Sequence, residues 1–236
     1  NLINAATSVT VTSAAITELA ASNLADLTTL HTQRAGFSDL TNITAVTLTN
    51  DGGGADGNVD FGTLETVVDN YQANIKAGIA FSFQSGDLID IDTSDELTAY
   101  LADITSGALV LTNQDVTVAS TVTLSVANAK SIAADTTGTV TATITSGTRV
   151  SDLTELRDPD GAGSGGNEEN AWTITIHSDD AASSAANLNT INAATSEQVN
   201  AAAVTSISSS NISDISTLLT SAVATTPREF TTGSFD

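Results

Sequence analysis

The sequence predicts an α/β fold, a repetitive solenoid in which parallel strands alternate with short helices. Three observations predict it: a stretch near the start recurs near the end, period-two strands of Val, Ile and Thr recur throughout, and short capped helices follow most of them. Apolar residues make up 40% of the chain but aromatics only 4%. Ala, Val, Leu and Ile must therefore fill the interior, and such small side chains suit thin, regularly layered cores.

The recurrence is the strongest signal. Asn1-Leu2-Ile3-Asn4-Ala5-Ala6-Thr7-Ser8 lies over Asn189-Thr190-Ile191-Asn192-Ala193-Ala194-Thr195-Ser196, and the match runs without a gap through Thr32 and Thr220. About half of the positions are identical, and most others exchange Leu for Ile or Ala for Ser. A weaker third copy places Ala127-Asn128-Ala129-Lys130-Ser131-Ile132 over Ala186-Asn187-Leu188-Asn189-Thr190-Ile191. The spacings give a unit of about sixty residues. The chain then divides into a unit at 1–50, a degenerate unit at 51–115 with an acidic Gly-rich insertion, a unit at 116–188 with a Gly/Ser-rich insertion at 158–170, and a unit with tail at 189–236. With no Met and an opening in mid-pattern, the chain reads as a processed product or a piece of a longer array.

Each element has a local reason. Val9–Thr12, Val46–Thr49, Val122–Val126, Val140–Thr145 and Trp172–Ile176 alternate apolar and polar residues with β-branched enrichment, the mark of a half-buried strand. Asn23 precedes Leu24, Leu27 and Leu30, with Asp26 in the first turn. Asn211 precedes Ile212, Ile215 and Leu218-Leu219, with Asp214 likewise placed. Thr93 and Glu96 form a capping box ahead of Leu97-Thr98-Ala99-Tyr100-Leu101. Helices this short need neighbouring strands to pack on. Ala108 to Val126 departs from the scheme and reads as closely spaced strands, a hairpin among them, which keeps a mainly-β sandwich with short helices as the alternative fold.

Six Lys and Arg face 28 Asp and Glu, a net charge of −22. That excludes a nucleic-acid footprint and attraction to an anionic membrane surface. No Cys is present, which removes disulfides, zinc-thiolate sites and cysteine catalysis together. No apolar run approaches the roughly 18 residues of a membrane-spanning helix.

Short carboxylates on Gly-rich loops suit hard cations, so calcium is the candidate cofactor. Asp56, Asn58 and Asp60 have the 1, 3, 5 spacing of a calcium loop, but Phe61 stands where the turn wants Gly and Val67 where the bidentate Glu belongs. A complete EF-hand is thereby excluded. Asp158 and Asp160 open a second acidic stretch that leads to Glu168 and Glu169. In a third, Asp90 and Asp92 share one face of an extended segment while Ile89 and Ile91 face the core. Catalysis finds little footing. His31 and His177 are the only histidines, His31 aligns with Leu219, and no Gly-x-Ser-x-Gly elbow appears. The single Trp, Trp172, reads as core.

The phrases Asn189-Thr190-Ile191-Asn192-Ala193-Ala194-Thr195 and Val140-Thr141-Ala142-Thr143-Ile144, followed by Ser151-Asp152-Leu153, resemble repeats in giant surface proteins of marine bacteria, cyanobacteria especially. The resemblance covers mainly residues 1–32 and 120–220. It implies an extracellular, calcium-rich setting and a role in a surface layer, adhesin or filament, and it carries no catalytic residues across. The expected function is a non-enzymatic structural module that self-associates into a filament or lattice, with a surface polysaccharide as a further partner. A glycan- or ice-binding array and a polysaccharide-degrading solenoid enzyme are the alternatives.

Overall fold

Period-two runs of Val, Ile, Phe and Thr pair side by side in this chain, and short capped helices cover them. The computed structural model describes residues 10–49, 58–84, 87–157, 170–223 and 230–232. It divides into two compact units, Asn1–Val116 and Thr117–Asp236.

The first unit runs β1 (Glu18–Ser22), α1 (Leu24–Thr32), β2 (Ala45–Leu48), β3 (Val59–Asp60), α2 (Phe61–Asn74), β4 (Ala80–Phe83), β5 (Leu88–Ile91), α3 (Ser94–Ser106) and β6 (Leu109–Val110), with β7 (Asp115–Val118) at its border. One sheet has the order β1-β2-β4-β6, every pair parallel. Its register aligns Val46 with Phe81 and Phe81 with Leu109, so one inward row is apolar in every strand. β3 and β5 also pair in parallel, Val59 beside Ile89 and Asp60 beside Asp90. Aromatic rings tie helices to this layer. Phe61 and Tyr100 meet edge-to-face at 5.4 Å, and Tyr71 meets Phe81 likewise at 5.7 Å. The Tyr71 hydroxyl donates to the carbonyl of Leu27 at 3.0 Å, fixing α2 against α1. Gly107 ends α3 in the left-handed conformation, φ 76°, where a Cβ would be strained.

The second unit contains β8 (Thr123–Leu124), α4 (Val126–Asp135), β9 (Val140–Ile144), α5 (Val150–Leu153), β10 (Ala171–Thr173), β11 (Ala182–Ser183), α6 (Ala185–Asn192), β12 (Val199–Ala201), β13 (Ser206–Ile207), α7 (Ile212–Val223) and β14 (Phe230–Thr232). β9 pairs with β8 and β10, β11 with β13, and β12 with β14, all parallel. Trp172 is 1% exposed and stands in register with Ala142, whose small side chain leaves room for the indole.

The result is a mixed α/β chain of parallel sheets with seven α-helices among the described residues. The Asn42 amide donates to the Ala14 carbonyl 28 residues back, Asn58 to Asp90 at a separation of 32, and Gln114 to Gln84 at 30. In the second unit Val140 N–H donates to Asn170 at a separation of 30, and Ala185 N–H to Ser210 at 25. Gln114 and Asn170, 1% and 2% exposed, serve backbone groups that the sheets leave unpaired.

Three expectations need correction. The segment from Ala108 to Val126 holds closely spaced strands but no hairpin between them: β6 pairs in parallel with β4, and β8 with β9. The strand expected over Val122–Val126 stops at Leu124, because the Ser125 hydroxyl accepts the Asn128 N–H and starts α4. The stretch after Asp60, for which the sequence suggested no helix, forms α2, in which Phe61, Leu64, Val67, Val68 and Tyr71 are buried.

Candidate functional site

The most polar convergence in the first unit lies at the ends of β3 and β5. Val59 and Ile89 point into the core, so the next residues of each strand, Asp60 and Asp90, turn outward side by side. Asn58 Nδ2 donates to Asp90 Oδ2 at 2.9 Å. Asp60 caps α2: its Oδ1 accepts the Thr63 N–H at 2.7 Å and the Thr63 hydroxyl at 2.6 Å. Thr93 caps α3 by accepting the Glu96 N–H at 3.2 Å, while Glu96 Oε2 accepts the N–H of Asp92 at 2.7 Å. Gly62 permits this crowding, since a Cβ there would lie 3.1 Å from Glu96 Oε1.

The structure thus gathers Asn58, Asp60 and Asp90, which the sequence placed in two separate stretches, and adds Glu96. Asp92 touches the group through its backbone. Asp56, Asp158 and Asp160 lie outside the described residues. The donor set does not fit a hard cation, which wants six to eight converging oxygens. Asn58 presents its amide hydrogens to Asp90, and the Asp60 and Glu96 carboxylates are engaged in capping. Among the described residues no group of three or more His, Asp or Glu side chains converges for metal binding.

A second acidic group joins α2 to α3. Burial, followed by a hydrogen bond to Asp103 and the negative charges of Asp103 and Asp69, pushes the Glu65 carboxyl up to about 8. Burial likewise raises Asp103. Burial is the largest cause in both, so each carboxyl holds its proton more readily than an exposed one. Sequence reading missed this pair because it missed α2; the apolar spacing Phe61, Leu64, Val68, Tyr71 behind the cap Asp60 was the available signal.

In the second unit Arg149 forms a clasp. Its Nη2 lies 2.7 Å and its Nε 3.0 Å from Asp180 Oδ1, and its Nη1 donates to Asp179 Oδ2 at 3.2 Å. Asp180 Oδ2 accepts the Val150 N–H at 2.9 Å, so a residue 30 positions away caps α5. His177 Nδ1 accepts the Asp179 N–H at 3.2 Å. His31 stacks loosely near Tyr71 with ring centres 6.4 Å apart, and burial together with the Arg34 charge lowers its pKa. Its Nε2 is buried without a hydrogen-bond partner among the described residues.

Two open clefts accompany these groups. One, of about 550 Å³, is lined by Thr32, Arg34, Phe37, Asp39, Asn74 and Ile75. The other, of about 830 Å³, is lined by Ser125, Lys130, Ser131, Thr148, Asp152 and Glu155, with Lys130 and Glu155 3.8 Å apart. The paired Glu65 and Asp103 line neither cleft. Comparison with known proteins found no family model, no curated protein and no solved structure that matches the chain.

Proposed function

We propose that the chain is a non-enzymatic structural module of a large extracellular surface protein, built as a solenoid of strand-and-helix turns and assembling with copies of itself into a filament or lattice. The observation that carries this reading is the parallel pairing of strands that lie a few tens of residues apart, accompanied by hydrogen bonds to residues 25, 28, 30 and 32 positions away. A chain that meets itself through successive parallel strand pairs, from Thr123 beside Thr143 to Ala45 beside Ala80, can grow by stacking turns of unequal length. The four-unit division then assigns two such turns to each unit of about sixty residues.

Recurrent caps support the stacking. Asn23 and Asn211 each accept the N–H three residues on, at 2.7 and 2.8 Å, and Ser125 and Ser184 do the same at 3.1 and 3.2 Å. The surface location rests on the absence of Cys, the net charge of −22 and the resemblance to bacterial surface repeats. Calcium enters this reading as counter-ions held diffusely by the acidic surface, which it screens.

Immunolabelling of intact source cells is expected to decorate their outer surface, and label seen only after permeabilisation would overturn the location. Turnover of any polysaccharide by the purified chain would overturn the non-enzymatic half. Unfolding curves in calcium and in chelator are expected to differ in midpoint; coincident curves remove calcium from the reading.

A further inference from the structure

The cleft where α1 and α2 end gathers side chains that no interaction described so far employs. Thr32 and Asn74, the last residues of the two helices, line it with Arg34, Phe37, Asp39 and Thr41. Its volume of about 550 Å³ lies in the range of small-ligand sites. Leu40 and Ile75, both buried, add apolar surface to the same wall.

The fold holds these groups in place. Arg34 Nη1 donates to the His31 carbonyl at 2.9 Å. The Val11 N–H donates to the Gly36 carbonyl at 2.8 Å and the Ser38 N–H to the Val11 carbonyl at 2.9 Å, which fixes the backbone on both sides of Phe37. Ser13, 1% exposed, bonds both peptide groups of Asp39: its hydroxyl donates to the carbonyl and accepts the N–H at 3.2 Å. Asp39 Oδ1 accepts the Thr41 N–H at 2.9 Å and the Thr41 hydroxyl at 2.6 Å. Asn74 Nδ2 donates to the Asn70 carbonyl at 3.1 Å. Side chains tethered this way lose little further freedom when a ligand arrives.

The hydrogen-bonding capacity left over selects the ligand. Thr32 and Thr41 have committed their hydroxyl hydrogens to the Thr28 carbonyl and to Asp39, so each offers lone pairs. The Thr41 bonds hold the Asp39 carboxyl below its ordinary range, so it also accepts at neutral pH. The ends of the two helices contribute carbonyls and partial negative charge. Against these acceptors stands one strong donor. Among the described residues the Arg34 guanidinium bonds only to the His31 carbonyl and forms no ion pair. An anion would meet Asp39, two helix C-termini and a net charge of −22. A cation would meet Arg34. A sugar ring carries no charge, donates and accepts through its hydroxyls, and turns C–H groups toward apolar surface.

We propose that this cleft binds a neutral sugar residue of a polysaccharide: Asp39 and Asn74 Oδ1 accept its hydroxyls, Arg34 donates to one of its oxygens, and Phe37 meets its C–H face. The cleft of the second unit has no aromatic ring among its lining residues, and its Lys130 is already paired with Glu155. The inference holds whether or not copies of the chain assemble.

Affinity electrophoresis of the full chain tests this, in gels that contain dextran, laminarin, mannan or galactan, with alginate as the acidic comparison. At least one neutral polysaccharide is expected to retard wild type, and alginate none. Arg34→Ala and Phe37→Leu are each expected to weaken retardation at least ~10-fold, whereas Lys130→Ala in the other cleft leaves it unchanged. Circular dichroism matching wild type checks folding, and Asn74→Ala, on an exposed helix end, serves where either substitution disturbs it. Migration unaffected by all four neutral polysaccharides would overturn the inference, as would retardation by alginate alone or retardation that survives all three cleft substitutions. Retardation without cleavage leaves the non-enzymatic reading intact, and cleavage that survives the cleft substitutions strikes that reading alone.

Discussion

The two units hold their helices on parallel strands by different means. In the first, α2 and α3 have 14 and 13 residues, and rings anchor them: Phe61 against Tyr100, and Tyr71 against Phe81. In the second, α4, α5 and α6 have 10, 4 and 8 residues, and Ala129, Ala133, Ala142 and Ala185 occupy buried positions. Polar cross-links stand where the first unit has rings. Asn189 donates to the Asp214 carbonyl at 3.0 Å, Ala185 N–H to the Ser210 hydroxyl at 2.9 Å, and Arg149 grips Asp180. Long helices offer enough apolar face for large side chains; a helix of one to three turns does not, and caps from neighbouring segments hold it instead. The comparison teaches that parallel strands can hold their helices by either solution.

Substitutions in each unit can break or sharpen that contrast. The largest effect is expected from the rings. Phe81→Ala and Trp172→Ala should each cost about 3–5 kcal/mol in urea unfolding followed by circular dichroism, since both rings are fully buried. A smaller loss for Trp172→Ala than for Phe81→Ala would mean that the second unit depends on its cross-links even more than its composition suggests. Next comes Asp180→Ala, which strips the cap from α5 and leaves Arg149 without its main partner; about 1.5–3 kcal/mol is expected, partly restored in Asp180→Asn. Ser125→Ala and Ser184→Ala should each cost about 1 kcal/mol, and equal costs would show that the related helices α4 and α6 are capped equivalently in energy as well as in geometry.

A further effect is conditional on pH. Folding raises the Glu65 carboxyl from 4.5 to about 8. Its contribution is therefore complete below the unfolded value and is lost as pH rises through the folded one. Wild-type stability should fall across that interval, and Glu65→Gln, which cannot ionise, should flatten the curve between about pH 5 and pH 9. An unchanged slope in the variant would show that Glu65 is not the titrating group.

Legibility followed the range of the interactions. The caps Asn23, Thr93 and Asn211 were readable because each bonds an N–H three residues away. The strands around Val46, Val140 and Trp172 were readable because alternation is local. Helix α2 was hidden because Asp60 fits a calcium-loop spacing as well as a cap, and only packing of Phe61 and Tyr71 on other elements chose between them. Gln114 and Asn170 gave no signal either, since the backbone groups they satisfy lie 30 residues away.

By itself the sequence determined the alternation of strand and capped helix, the recurrence of one local conformation at residues 10–32 and 198–220, and the burial of Trp172. Tertiary structure alone decided which strands pair, that Asp60 and Asp90 stand together, that burial raises the Glu65 carboxyl near Asp103, and that Ile212 is exposed where Leu24 is covered. The physical reason is range. Backbone preference and capping act within a turn, whereas burial and charge coupling depend on which distant segment arrives alongside.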